Sequence, residues 1–475
     1  MPVIFTTDAL VFLLLFMVAV FTWYTSRHEH LRAPWRQVVK SKAAMAAAVV
    51  LLFYILVGIL DSLHFHPALE GTERHGKQYS TEILSVLDVI AGHLRTETEK
   101  TYSAPLATHS FAREIMELPD GREVLDNPRL QYGGSHLLDQ SRTAGADIAL
   151  KTLSGMVCGG LLWLSLSALV ILVLGQQRGE GNMTTMRRVL RERNGVPWHT
   201  ILLTLGLLVI TAATIAWLSN FYHVFGTDKV GQDVLYQSLK SVRTGLLIGT
   251  LTTLIMLPFA IALGIMAGYF RGRVDDVIQY IYTTLNSIPG VLLIAASILV
   301  LDVHMTNNAE SFTSIEQRAD TRLLYLCMIL GIMSWTGLCR LLRGETLKLR
   351  EVDYVQAAQC FGASHTAIMA RHILPNVMHI VIISMVLDFS GLVLAEAVLA
   401  YINIGVDPSM ASWGNMINSA RLEMAREPVV WWSLATAFFA MLGLVLPANI
   451  FADAVRDAFD PRIRKLNTGS VKSEA

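Results

Sequence analysis

The sequence predicts an all-α polytopic membrane protein. Three observations carry that class: 53% of the 475 residues are hydrophobic, only 16% are charged, and the mean hydropathy is +0.46. An ordinary soluble domain is more charged than this. Thirty-eight basic residues balance thirty-eight acidic ones, and no basic stripe with interleaved aromatics appears, so the chain offers no footprint for nucleic acid.

A spanning helix needs about 20 largely apolar residues. Runs of that kind begin with Leu10 to Tyr24, Ala43 to Leu60, Met156 to Leu174 and Ile201 to Ser219. They continue with Gly245 to Gly268, Ile278 to Leu301, Leu323 to Leu342, Val377 to Ala400 and Trp431 to Phe451, which makes about nine spans. The first is short enough for a signal sequence. No basic residue precedes it and no small-residue cleavage site follows, so an anchor helix is the better reading.

Orientation follows from the bias of Lys and Arg toward cytoplasmic loops. Arg27, Arg32, Arg36, Lys40 and Lys42 follow the first span; Arg178, Arg187, Arg188, Arg191 and Arg193 follow the third. Placing both loops inside puts the N-terminus and Asp61 to Gly155 outside. The stretch Gln356 to Asn376 and the tail with Arg462, Arg464 and Lys465 then lie in the cytoplasm.

The segments expected on this basis are two N-terminal helices (1–60), an external α-rich domain (61–155), a helix with a basic linker (156–198), a spanning core (199–462) and a tail (463–475). Helical spacing at Ile83, Leu84, Leu87, Ile90 and Leu94 supports the α-rich expectation for the external domain. Within it, GTERHGKQ at 71–78 has the skeleton of a phosphate-binding loop. Gln78 replaces the hydroxyl that would hold magnesium and no strand pattern precedes it, so a nucleotide site is not expected. His64 and His66 form one H-x-H pair; with His75, His93, His109 and His136 they lack any further ligand spacing and read as solvated loop residues rather than a metal site. Cys158, Cys327, Cys339 and Cys360 show no CxxC spacing and are expected as buried small hydrophobes.

The polar stretch QAAQCFGASHTAIMARHILPN, within a hairpin at 350–376, reads as two short helices. In the first, about Asp353 to Phe361, Tyr354, Ala357, Ala358 and Phe361 recur at i, i+3, i+4 and i+7 and form a shallow apolar stripe. Gly362 permits the reversal, Ser364 can cap the second helix, and Pro375 would let the chain leave it.

This stretch resembles the cytoplasmic loop of bacterial binding-protein-dependent ABC importer permeases, E-A-A-x3-G followed by I-x-L-P. Gln356, Ala357, Ala358, Gly362, Leu374 and Pro375 occupy matching positions, with Gln356 in place of Glu and His372 in place of Ile. QAA and HILPN look like the oligopeptide and dipeptide branch. So do FGTDKVGQDVL at 225–235, AGYFRGRVDD, LAEAVLAYINIGVDP at 394–408, SWGNMI at 412–417 and VRDAFDPR at 455–462. The resemblance runs from about Trp198 to Arg462.

It implies a six-helix permease core plus about three extra N-terminal spans and a small external domain, in a bacterial inner membrane. The implied partners are a second homologous permease, two cytoplasmic ATPase subunits that carry the hydrolysis, an external solute-binding protein and a peptide-like solute, with membrane lipid around the spans. Neither cofactor nor metal is implied. ATP-driven closure would pass through Tyr354, Gln356, Ala357, Ala358, Phe361, Gly362, Ala363, Leu374 and Pro375 to give alternating access. Small alanines suit a helix seated in a partner's groove.

Asp388 and Glu396, eight residues apart on one expected helix, lie about 80° apart around its axis. They either line a path for a peptide amine or form an interior pair that holds helices together. Two other classes compete with the importer reading. A secondary transporter would show an internal repeat and broken helices, of which Pro289-Gly290 is one candidate break. A membrane sensor would need a larger output domain than the tail offers.

Overall fold

The computed structural model describes residues 2–27, 29–68, 79–117, 123–137, 144–179, 181–190, 195–311 and 314–459. The phosphate-loop look-alike, His75 and the tail arginines fall outside them. Among the described residues, nine helices are long and apolar enough to cross a membrane: Thr6–Arg27, Lys42–Ser62, Ala144–Gln177, Trp198–Leu218, Val234–Phe270, Gly290–Asn307, Ile315–Leu349, His365–Tyr401 and Trp432–Phe459.

Two compact units interleave in sequence. One holds Met1–Ile4, Val38–Thr244 and Ala411–Pro447; the other holds Phe5–Gln37, Gly245–Met410 and the chain from Ala448.

The first unit contains the segment 61–155, and here the α-rich expectation is corrected. Between residues 63 and 143 the described helices are Val86–Ile90 and Gly92–Thr96, broken at Ala91, while Glu114–Glu117 pairs with Glu123–Asp126 and Pro2–Val3, His64–Phe65 and Leu84–Ser85 make a three-stranded patch. Ile83 and Leu84 thus lie before the first of these helices. The two-residue strands Pro2–Val3, His64–Phe65 and Leu84–Ser85 are too short to leave a local periodicity to read. The following helix begins at Ala144, earlier than the apolar run suggests, because its first turns are polar and still helical.

Loop 221–233, which carries the FGTDKVGQDVL stretch, anchors this segment. Thr227 Oγ1 donates to Thr101 O at 2.9 Å and receives Ser103 N at 2.7 Å, while Trp432 Nε1 donates to Thr227 O at 2.9 Å. Asp233 caps the next helix by accepting Leu235 N at 2.8 Å. His223 is buried between two carboxylates: Nδ1 is 2.7 Å from Asp233 and Nε2 lies 3.5 Å from Glu99, an ionic contact. Burial alone would depress the imidazole, but Asp233 and Glu99 together outweigh it and hold its pKa at about 9. Burial likewise opposes the Glu99 charge. Pairing with His223 and the N–H groups of Gln131, Tyr132 and Gly133 prevail, and its pKa falls to about 2. Nearby, Lys240 Nζ reaches Asp61 at 2.7 Å and Asp88 at 3.0 Å, joining three stretches of this unit.

The second unit packs its helices through small residues. A Cβ at Gly264 would lie 2.8 Å from Leu342 Cβ, and one at Gly268 would lie 2.6 Å from Thr346 Cβ, so Val234–Phe270 approaches Ile315–Leu349 more closely than any side chain at those glycines allows. The first spanning helix belongs here as well. Thr6 Oγ1 donates to Asp320 Oδ2 at 2.8 Å, Thr7 N to the same oxygen at 3.2 Å, and Thr7 Oγ1 to Oδ1.

The expected sixth span, Ile278 to Leu301, is corrected. The helix Gly272–Ser287 ends, Ile288 is extended and Pro289 starts a new helix, Gly290–Asn307. Proline disfavours helical backbone in the residue before it, so the apolar run breaks at the place where Pro289-Gly290 interrupts it.

Candidate functional site

The hairpin begins where Ile315–Leu349 ends. Its first helix is Asp353–Cys360, close to the expected bounds. Gly362 has φ +76°; its N–H bonds Gln359 O at 3.0 Å and Ala363 N–H bonds Ala358 O at 3.1 Å. This paired closure of a helix end requires a left-handed residue, which is why glycine stands there. Ser364 Oγ then accepts Ala367 N at 3.3 Å and caps the second helix as expected.

Pro375 does not end that helix. His365–Ile368 runs through a widened turn, Met369–Ile373, directly into Leu374–Tyr401, with Pro375 in the first turn of the latter. A wide turn accommodates the missing proline N–H without a break. The hairpin's second arm and the membrane helix are therefore one continuous rod.

The apolar stripe divides into two faces. Val355, Ile368 and Ile373 are fully buried against Tyr269, Trp335 and Leu338, and Ala358 packs half-buried on the same cluster. Ala358 thus belongs to the inward face, a correction to its place on the outer stripe; Val355, one turn earlier, is the inward anchor that the pattern missed. Outward stand Tyr354, Gln356, Ala357, Cys360 and Phe361, with Phe361 90% exposed and Tyr354 42% exposed. Ala363 is exposed beside them, Leu374 packs on the inner cluster, and Pro375 is exposed. Of the cysteines, Cys327 and Cys339 are buried as expected, while Cys158 and Cys360 are exposed.

Three polar ties fix the hairpin to the neighbouring helix ends. Tyr269 OH lies 2.9 Å from His365 Nδ1 and accepts Gln359 Nε2 at 3.3 Å; Arg350 Nη1 donates to Tyr269 O at 2.6 Å; Arg271 meets Glu351 at 2.6 Å. Behind them Arg343 holds Asp275 through two bonds of 2.6 and 2.8 Å. That bidentate pairing holds the Asp275 carboxyl below the usual carboxylate range. None of these partners is close in sequence, and only the geometry finds them.

Asp388 and Glu396 both lie on Leu374–Tyr401; Glu396 is 3% exposed and Asp388 half-buried. Eight residues give about 12 Å of helical rise, too far for a direct hydrogen bond between the two carboxyls. Among the external histidines, His93 Nε2 lies 3.0 Å from Ser219 Oγ, and His136 Nε2 lies 2.8 Å from Asp147 Oδ2. Among the described residues no group of three or more His, Cys, Asp or Glu could hold a metal.

The described residues thus form a helical membrane core with a polar, buttressed hairpin that shows an aromatic face outward. Residues 260–465 match the family described as binding-protein-dependent transport system inner membrane component. The chain is 31% identical over 240 residues to a dipeptide transport system permease protein of Lactococcus lactis, covering 50% of this chain and 64% of that protein. It is 30% identical over 243 residues to an oligopeptide transport system permease protein of Haemophilus influenzae, with 51% and 71% covered. Against an oligopeptide transport system permease protein of Mycobacterium tuberculosis the identity is 31% over 247 residues, with 52% and 78% covered. The chain belongs to the family of binding-protein-dependent inner-membrane transport components.

Proposed function

We propose that this chain is the permease subunit of an ATP-driven importer for peptides or similar small solutes. It pairs with a second permease, two ATPase subunits that perform the hydrolysis, and an external solute-binding protein. The observation that carries the reading is the exposed face of Tyr354, Ala357 and Phe361 on a hairpin whose other face is buried in the membrane core. An aromatic ring that is 90% exposed at the tip of a fixed, small-residue helix is suited to a partner's groove.

A push on that face has two stiff outlets. One is the continuous rod from His365 into Leu374–Tyr401, which carries Asp388 and Glu396; the other is Tyr269, at the end of Val234–Phe270. We assign Asp388 and Glu396 to the translocation path, where carboxylates could meet a peptide amine or basic side chain. The peptide class rests on the relatives' named substrates together with these acids.

The reading is tested by Phe361→Asp. Membrane abundance should be normal because the ring is 90% exposed, while retention of the ATPase subunits and peptide uptake should both collapse. Wild-type uptake by Phe361→Asp at normal abundance would remove the hairpin from the coupling path.

A further inference from the structure

A cavity of about 660 Å³ lies within the first unit, between Ala144–Arg178, the short helix Asn182–Leu190 and Trp198–Leu218. Its size falls in the range of ligand sites. The wall is almost wholly apolar, with Ala168, Ile171, Met186, Val189, Leu203 and Ile210 among its residues. Gly206 lies midway along it. The indole of Trp163 lies over that glycine, where a Cβ would be 2.7 Å from Nε1, and donates to Leu202 O at 2.8 Å.

Two observations give the occupant. The hydroxyl of Ser167, a lining residue, is buried and makes no hydrogen bond, so an acceptor there would satisfy it. The short helix that contributes Met186 and Val189 also carries Arg187 and Arg188, and His199 lines the same end. From His199 to Ile210 the cavity follows eleven residues of helix, about 16 Å, the scale of an acyl chain running inward from a headgroup. An apolar slot flanked by a short helix that carries two arginines between its lining residues Met186 and Val189 complements an anionic amphiphile.

We propose that this cavity binds one phospholipid with an anionic headgroup. Its acyl chain fills the slot down to Trp163, an ester carbonyl accepts from Ser167, and the phosphate faces Arg187. The site lies outside the transport reading and would make this helix pair a lipid-dependent part of the subunit.

The test uses the full chain in nanodiscs of phosphatidylcholine with one-fifth phosphatidylglycerol bearing a photoactivatable acyl chain, and maps adducts by mass spectrometry. Labelling should concentrate on cavity residues, relative to exposed Leu153 on the open helix face. Ala168→Phe, which fills the slot, should lower cavity labelling several-fold and leave Leu153 labelling unchanged, with Leu203→Trp as a second filling variant. The double variant Arg187→Ser, Arg188→Ser should abolish the preference for phosphatidylglycerol over an equally labelled phosphatidylcholine and keep labelling of the slot. Equal labelling of cavity and open face, indifference to both filling variants, or an unchanged headgroup preference in the arginine variant would overturn the proposal.

Discussion

The Tyr269 hydroxyl lies 2.9 Å from His365 Nδ1, so the end of one long membrane helix is bonded to the first residue of the hairpin's second arm. The same hydroxyl accepts Gln359 Nε2 from the first arm at 3.3 Å. One side chain thus holds both arms, and its ring is buried in the cluster that receives Val355 and Ile368. Tyr269→Phe removes both bonds and keeps the ring. At about 1 kcal/mol per bond, the variant should insert at normal abundance. The ratio of solute taken up to ATP hydrolysed by the reconstituted complex should fall several-fold, and an unchanged ratio would show that Tyr269 only supports the fold.

The two faces of the first arm should respond differently to charge. Ala357 is exposed, so Ala357→Asp should leave abundance normal and weaken ATPase retention. Ala358 packs on the inner cluster, so Ala358→Asp places a carboxylate in an apolar site at a cost of about 2–3 kcal/mol or more, and abundance itself should drop. Gly362→Val falls between them. Nothing lies within 4 Å of the missing Cβ, so the penalty is backbone strain alone, about 1–2 kcal/mol at φ +76°. It should uncouple transport with abundance retained. Quantitative blots beside uptake assays separate the three patterns, and identical behaviour of Ala357→Asp and Ala358→Asp would contradict the face assignment.

These variants mark how far the sequence could be read. The nine spans were legible because length and hydropathy are local properties, and the cap at Ser364 and the reversal at Gly362 because each depends on one residue type. The inward role of Val355 was not, because an i, i+3, i+4, i+7 pattern cannot say which edge of a stripe faces the core. Phe361, on the same stripe, is exposed, on the side opposite Val355. Tyr269, Arg343 and Asp275 act across gaps of roughly 70 to 100 residues, so no short window of sequence contains them with their partners.

The segment around Glu99 and His223 should be pH-dependent on the alkaline side. The His223 pKa is raised to about 9 from an ordinary value near 6.5. Its contribution to stability is therefore fully present below about pH 6.5 and is lost as pH rises through about 9. Glu99, lowered to about 2, adds stability that is present above its ordinary range and lost as pH falls toward 2. Hydrogen exchange of the backbone around 99–133 should accelerate between pH 7 and 9.5 beyond its intrinsic pH dependence. His223→Gln should remove that excess; its persistence in the variant would assign it to another group.

The orientation drawn from the basic loops is open to direct labelling. In a background with Cys158, Cys327, Cys339 and Cys360 replaced by serine, a cysteine at exposed Glu123 should react with an impermeant maleimide in intact spheroplasts, and one at exposed Gly181 should react only after lysis. The reverse pattern would invert the topology and remove the hairpin from the cytoplasm.

The most direct measurement of the coupling claim uses a cysteine the chain already has. Cys360 is exposed, one residue before Phe361 on the outward face of the first arm. With Cys158 replaced by serine, the rate of maleimide addition to Cys360 can be compared between the isolated subunit and the complex with its ATPases. If the hairpin seats in an ATPase groove, addition should be fast in the isolated subunit and slowed at least several-fold in the complex. Equal rates in the two would mean that this face stays open when the ATPases are bound, which contradicts the account.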